Sequence, residues 1–484
     1  MHSFSNLPTE LLPSILQHII RPNHLAELCL VNNAFYAFTA PVLYRRAFIY
    51  SWHKDGKSKV VKLFRTLSEH PELAKYVVQL CRLFFAQTHS ARSTDFVFIA
   101  VRDFPKAVAP AERDNIMAIC LRGLQNCTNL TTFLWTRDGS LSTSILDVLS
   151  PLPHLAELEI NGHSDGHYDP AVLLQLNRLR KITLILPGSG IMDILPVWAA
   201  RTAGTLRHLT LIWQSTTLLT DQVLSELSCH LNQLESLYLV GCPKVSHHGL
   251  WSIVSANEGR LQGLGMEVLN SSFDLLKFSE LCIQSAALRS LQSISIHMDV
   301  KSASPSWQRN VVDLLSKSPV ESFHISSLAG EAAVNLPDDF CAEIVDAHSR
   351  TLRKFSVDRM RLSMASIKYI CERCTGLERL FVVMQHEDMN ELAVALSFAQ
   401  NLRAFHATRS LGSESEEALV VPEQKILSLV RKCSWKLKQI GFYTRVKQVD
   451  RVTFVDEDGS IHIEPRLVPF ESPEIPEPFL VVRT

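Results

Sequence analysis

A six-residue pattern, L-x-x-L-x-L, recurs along most of this 484-residue chain. Clear copies begin at Leu155 (LAELEI), Leu179, Leu206, Leu234, Leu291, Leu352, Leu377, Leu402 and Leu437. Looser copies at Leu130, Leu261 and Val320 fill the gaps, and LCRLFF at Leu80 opens the series. From Leu130 onward the starts lie about 28 residues apart. Between them, apolar residues fall at helical spacing over 221–231, 249–257, 310–318, 340–349, 365–374 and 390–399. A strand–turn–helix unit of this size cannot bury its apolar face alone. Stacked in series, such units share one core, with a parallel sheet inside and helices outside. A doubly wound α/β enzyme also alternates strands and helices, but it needs a glycine-rich strand-to-helix turn at a switch point. None is present; Gly263 and Gly265 form only a short G-x-G on a strand. The expected fold class is therefore α/β, a solenoid of about 12–13 units over 77–446.

The first residues obey another rule. Leu7, Leu11, Leu12, Ile15, Leu16, Ile19 and Ile20 keep helical spacing, with Pro8 in the first turn, where a missing N–H costs nothing. Pro22 breaks that helix, and Asn23 is placed to cap a second one carrying Leu25, Leu28, Cys29 and Val31. Asn32-Asn33 marks a turn, and a third short helix holds Phe35 and Phe38. Three such helices in about 40 residues cannot supply a robust core. They serve either as a cap for the rest of the chain or as a docking module, and periodicity alone leaves both open. A helical linker is expected over 49–76.

These residues carry a resemblance. LPTELLPSILQHI and the leucine-rich segment after it resemble an F-box over residues 4–48, with Leu7, Pro8, Glu10, Leu11, Ile15, Leu16, Leu25, Leu28, Val31 and Phe35 on the family's pattern. Two departures are a short first turn and Asn33 with Phe35 where a basic-Trp pair is often found. The resemblance implies docking on a Skp-type adaptor and, through it, a cullin–RING ubiquitin ligase. The implied contact set is Leu7, Pro8, Glu10, Leu11, Ile15, Leu16, Leu28, Val31 and Phe35. The array is similar to leucine-rich repeats, and LESLYLVGCPKVSHHGLWSIV (234–254) resembles their cysteine-containing class, with His247 where that class has Asp. Such repeats often follow an F-box, and the irregular copies resemble those of fungal F-box proteins. The implied function is substrate recognition for an SCF-type ligase, with no catalysis by this chain. A ligase-independent repeat scaffold is the alternative, and an enzyme on an unfamiliar α/β fold is the third.

Charge and cysteine usage narrow the partners. Lys+Arg 48 against Asp+Glu 49 leaves no basic excess for nucleic acid. Eleven irregularly spaced cysteines read as reduced thiols, which suits the cytoplasm or nucleus. The N-terminus has no basic n-region or cleavage site, and no long uninterrupted apolar run suggests a membrane span. Cys371-Glu372-Arg373-Cys374 is a lone CxxC on a predicted helix, read as structural rather than zinc-binding. His247-His248 read as surface histidines. No metal, cofactor or homo-oligomer is expected.

In each repeat strand the residues between the core leucines face the concave side. The candidate substrate-binding residues there are Glu157, Glu159, His208, Tyr238, His297, His324, Arg379, Phe381, His406 and Tyr443, with Lys354 and Ser356 among their neighbours. Glu157 and Glu159 share a face, but on an open strand they read as a solvated surface rather than an acid–base pair. Tyr, Phe and Arg are common interface anchors, so a protein partner is expected. After the array, 450–464 read as a hairpin around Asp456-Glu457-Asp458-Gly459. Residues 447–484 thus divide into a cap over 447–466 and an acidic, proline-rich tail, with disorder expected over 468–478.

Overall fold

A computed structural model describes residues 8–19, 22–50, 56–83, 110–136, 141–269, 273–298, 306–327, 334–384, 389–408, 421–443, 445–455, 458 and 460–470. The chain forms two compact units, one running to Gln214 and the other spanning Ser215–Phe470. Both are α/β and both are built from the same leucine-rich repeat. The division falls inside the array, where the repeat pattern gives no sign of it.

The first unit opens with the helical module. A 3₁₀ turn at Thr9–Leu11 leads into α1 (Leu12–Leu16), followed by α2 (Pro22–Cys29) and α3 (Asn33–Arg45). Leu12, Leu16 and Leu25 form its core, with Ile19, Leu28, Phe35, Val42 and Leu43 packed against them. Asn32 caps α3 by accepting a bond from the Phe35 N–H at 2.9 Å. Asn23 does not cap α2, because that helix already starts at Pro22, whose ring suits the first helical position. α3 also runs through Pro41. One backbone bond is given up there, while Val42 and Leu43 reach the core.

The sheet starts earlier than the leucine pattern shows. β1 (Arg46–Tyr50) pairs in parallel with β2 (Gln79–Leu83), Arg46 opposite Gln79. Between them lie α4 (Gly56–Glu69) and α5 (Pro71–Ala74), so the region read as a helical linker is the crossover of a β–α–β unit. After α6 (Pro110–Gln125), β3 (Thr132–Trp135) pairs with β2. α7 (Thr143–Leu149) precedes β4 (Glu157–Asn161), and β5 (Lys181–Ile185), α8 (Ser189–Thr202) and β6 (His208–Ile212) complete the unit, every pairing parallel. Gly123 lets α6 approach α4 closely: a Cβ there would lie 2.8 Å from the Phe64 carbonyl.

The second unit repeats the scheme. α9 (Asp221–Ser228), β7 (Ser236–Cys242), α10 (His247–Ala256), β8 (Gly263–Leu269), α11 (Leu275–Ser285), β9 (Ser293–Met298), α12 (Trp307–Leu315) and β10 (Ser322–Ser327) alternate. A two-residue β11 (Val334–Asn335) precedes α13 (Asp338–His348), β12 (Lys354–Arg361), α14 (Met364–Arg373), β13 (Arg379–Val383), α15 (Met389–Ser397), β14 (Ala404–Thr408), α16 (Glu423–Lys432) and β15 (Gln439–Phe442). β7 through β15 pair in parallel, and the short β11 adds to the end of β12. β16 (Arg445–Val455) then turns antiparallel onto β15, and β17 (Ile461–Pro469) antiparallel onto β16. The expected hairpin is present and longer than its sequence signal. Val468 and Pro469 belong to β17 rather than to a disordered tail; residues 471–484 lie outside the described residues.

Leucines of the repeat point inward. Leu234, Leu237 and Leu239 are fully buried, as are Leu377 and Leu380, each such side chain contributing about 2 kcal/mol of transfer free energy. Polar clasps join successive repeats. The hydroxyls of Thr205, Ser318, Thr351 and Ser434 donate to the Leu179, Leu288, Val320 and Gln400 carbonyls at 2.6–2.9 Å. Asn257 does more: its Nδ2 donates to the Leu231 and Ile253 carbonyls at 2.7 and 2.8 Å, and its Oδ1 accepts the Leu234 N–H at 2.6 Å. At the helix starts, Asp221 accepts from the Ser246 N–H at 2.7 Å and from the Ser246 hydroxyl. Gly249 makes room for this, since a Cβ there would strike the Asp221 carboxylate. Asp338 likewise accepts from the Ser363 and Ser366 hydroxyls, both at 2.6 Å, and these bonds hold its carboxyl below the usual range.

Asn257→Ala strands three backbone groups in a buried turn and should cost about 2–4 kcal/mol, read as a lowered urea midpoint. Asp338 contributes stability fully above the ordinary carboxylate value of about pH 4, and that contribution is lost as the pH falls through its lower folded value. Asp338→Asn should therefore lower the Tm at pH 7, with the gap to wild type shrinking by pH 3 in paired thermal melts.

Candidate partner-binding surfaces

On the helical module the implied contact set separates by exposure. Pro8 and Glu10 are on the surface, and Leu11, Ile15 and Val31 are 49%, 38% and 57% exposed, Ile15 lying one turn after Leu11. Leu16 is only 1% exposed; it is core and carries this surface from beneath rather than forming part of it. Leu28 and Phe35 are half-buried against the same core. Leu7 lies outside the described residues. Leu30, at 86% exposed, together with Tyr36 and Phe38, adds apolar surface that the motif does not include. Leu30 sits at the α2–α3 turn, one residue before Val31, where a leucine has no core to enter.

In the first unit Glu157 and Glu159 stand on β4 and His208 on β6. Glu157, Lys181 and His208 stand in register on β4, β5 and β6. Thr132 donates to the Glu157 carboxylate at 3.3 Å. Burial raises the Glu159 carboxyl above the usual range, opposed by the nearby Lys181 charge.

Within the second unit the concave side chains are tied together. The Tyr238 ring lies across β8 and its hydroxyl meets Ser293 at 3.1 Å on β9. Gly263 and Gly265 make that possible: a Cβ at Gly265 would collide with the ring, so the short G-x-G is a seat for tyrosine. His297 Nδ1 meets the Ser326 hydroxyl at 2.8 Å, and His324 Nδ1 meets Ser356 at 2.9 Å. In each case the serine stands directly opposite on the next strand. Ser295 donates to the Glu267 carboxylate. Burial holds His297 below its ordinary value, as do the Arg359 and His324 charges, against the pull of Glu267 and Asp358. Arg359 sits at a positive φ of 59° where the β12–β13 register shifts, and pairs with Asp358 at 3.8 Å. Glu267, Asp358 and Arg359 lie beyond the six-residue repeat window, so the pattern does not flag them. The length of β12 and its bulge bring Asp358 and Arg359 forward.

Three expected contacts are corrected. His406 is 1% exposed; it lies over Gly441, where a Cβ would approach it to 2.6 Å, and its Nε2 meets the Tyr443 carbonyl at 2.8 Å. Phe381 is 7% exposed, with the Lys354 ammonium 5.8 Å above its ring. Tyr443 stands in the turn after β15 at a φ of 56°, not on a strand. Arg379 is exposed, and His324 and His297 remain on the face.

His247 is also not a surface residue. It is buried beside His248 and Phe273, and burial holds it below its ordinary value. Cys371 and Cys374 are buried thiols whose pKa burial raises, that of Cys374 to about 12. Among the described residues the ten cysteines are free, no cluster of three or more His, Cys, Asp or Glu is placed to hold a metal, and no helix is long and apolar enough to cross a membrane.

No family model and no curated protein matches the chain. Among solved structures, the complex of Rad7 and Elc1 in yeast matches at 14% identity and a TM-score of 0.39, over 62% of this chain and 76% of that one. The leucine-rich repeat-containing protein LegL7 from Legionella pneumophila matches at 16% and 0.33, over 63% and 91%. The TLR13–ssRNA13 complex matches at 15% and 0.30, over 66% and 44%. Superpositions this loose carry no weight on function. The chain's own strands, register and buried leucines show an α/β fold of stacked leucine-rich strand–helix repeats.

Gly265→Ala should cost about 1–3 kcal/mol through overpacking against Tyr238. In a Tyr238→Ala background the same change should cost much less, as a double-mutant cycle in urea would report.

Proposed function

We propose that this chain is the substrate-recognition subunit of an SCF-type ubiquitin ligase. The helical module docks on a Skp-type adaptor, which links it to a cullin–RING ligase, and the repeats hold a protein substrate. The chain performs no chemistry itself and contributes proximity. The observation that carries this reading is the pairing of the LPTEL…IL pattern with an exposed apolar surface. Leu11, Ile15, Leu30 and Val31 stand outward around a small core centred on Leu12, Leu16 and Leu25. So much apolar side chain left in water on so small a module favours a covering partner. The free cysteines fit a reducing compartment, the cytoplasm or nucleus.

Co-purification tests it. The tagged chain should capture the Skp-type adaptor and a cullin. Leu11→Asp with Ile15→Asp, both at exposed positions, should weaken adaptor binding at least tenfold while leaving the thermal melt in place. Failure of the wild type to capture the adaptor would sink the ligase reading and leave a ligase-independent scaffold. Capture that survives the double substitution would place the contact elsewhere.

A further inference from the structure

We infer that the concave side of β7–β9 takes an arginine side chain of a partner protein, its guanidinium paired with Glu267 and stacked on Tyr238. The inference deepens the reading that the repeats hold a protein substrate: it rests on that reading and names the side chain they grip.

Charge is scarce on these strands. β7, β8, β9 and β10 hold one Asp, Glu, Lys or Arg between them, Glu267 on β8. Leu264 and Met266 are buried, and residues two apart on a strand share a face, so Glu267 stands on the concave side with Gly263 and Gly265. Ser295 on β9 donates to its Oε1, which leaves Oε2 for a ligand. Among the described residues no Lys or Arg is in ion-pair contact with this carboxylate. Met266 pairs with Ile296, so Glu267 and His297 are the next residues on their strands. Burial holds His297 below its ordinary value, and it supplies no standing positive charge. Arg359, the cation whose charge reaches His297, is engaged with Asp358 at 3.8 Å.

Tyr238 completes the site. Its ring crosses β8 on the seat that Gly263 and Gly265 leave, and its hydroxyl meets Ser293 at 3.1 Å. The residue is half-buried, so part of the ring is open to the concave side. Burial raises the phenol's pKa, the Ser293 bond opposes that rise, and the Glu267 charge adds to it, which places the carboxylate within electrostatic reach of the ring.

A carboxylate beside an aromatic ring suits a guanidinium. The N–H fork pairs with the carboxylate while the plane stacks on the tyrosine; an ammonium can use the charge but cannot stack. Tyr238 and Glu267 are each held by a serine of β9 before any ligand arrives, so little rotamer entropy remains to be lost there. A metal ion is a poor fit, because no cluster of three or more His, Cys, Asp or Glu is placed to hold one among the described residues. An acidic segment or a nucleic acid would meet Glu267 with like charge.

The test is fluorescence anisotropy on the full chain, with a labelled 12-residue peptide of alternating Arg and Ser in about 50 mM salt. The peptide should bind. Glu267→Gln, which keeps the side chain's shape, should weaken it at least fivefold. Tyr238→Leu should do the same, while Tyr238→Phe, which keeps the ring, should stay within twofold of wild type. Glu280→Gln, exposed on α11, should change nothing. A Lys–Ser peptide should bind several times more weakly than the Arg–Ser one. No binding by the wild type, Glu267→Gln binding like the wild type, or a Lys–Ser or Glu–Ser peptide binding as tightly as Arg–Ser would each overturn the inference. Adaptor capture is measured on the same proteins. Peptide binding weakened in Glu267→Gln with capture intact supports the assignment; a wild type that binds the peptide but captures no adaptor also supports it and overturns the ligase reading alone.

Discussion

Each repeat depends on its neighbour for burial. A strand of five or so residues with three leucines exposes an apolar face that its own helix only half covers. The adjoining repeat completes the enclosure, as at Leu234, Leu237 and Leu239, so the core is shared between neighbouring repeats. The edges of such a stack need separate treatment. In the second unit β16 and β17 turn antiparallel onto β15, with Pro465 and Pro469 on the outer strand, where a missing N–H blunts further pairing.

Leucine burial alone would leave polar backbone stranded at every turn. The structure answers with hydroxyls and asparagines, Asn257 and Asn401 among them, reaching back to the previous repeat's carbonyls. Asn257 satisfies two carbonyls and one N–H at once. The helix starts use the same device, with Asp221 and Asp338 holding the serine caps of the next helix. Burial sets the stacking and these bonds set its spacing, so the concave side chains are presented on a rigid support.

That support explains the division between the two surfaces. Among the described residues the helical module buries Leu12, Leu16 and Leu25 and leaves Leu11, Ile15, Leu30 and Val31 outward. The repeat face is saturated internally: serines hold histidines, glycines seat rings, and arginines balance acids.

The sequence by itself determined the repeat, its period, most of the strands and helices, and the inward leucines, because these depend on local periodicity and on burial that each unit repeats. It also marked the F-box-like string and the terminal hairpin. β1 was not legible, since RAFIY lacks the leucine pattern and gains strand character only by pairing with β2. The concave site was legible as a set of positions but not as a surface. His406 and Phe381 sit at outward positions yet are buried, because Gly441 leaves room beneath one and Lys354 covers the other. Leu16 lies on the F-box-like pattern yet belongs to the core. Which variable residues face water is decided by neighbours about one or two repeats away, and only the tertiary register brings those together.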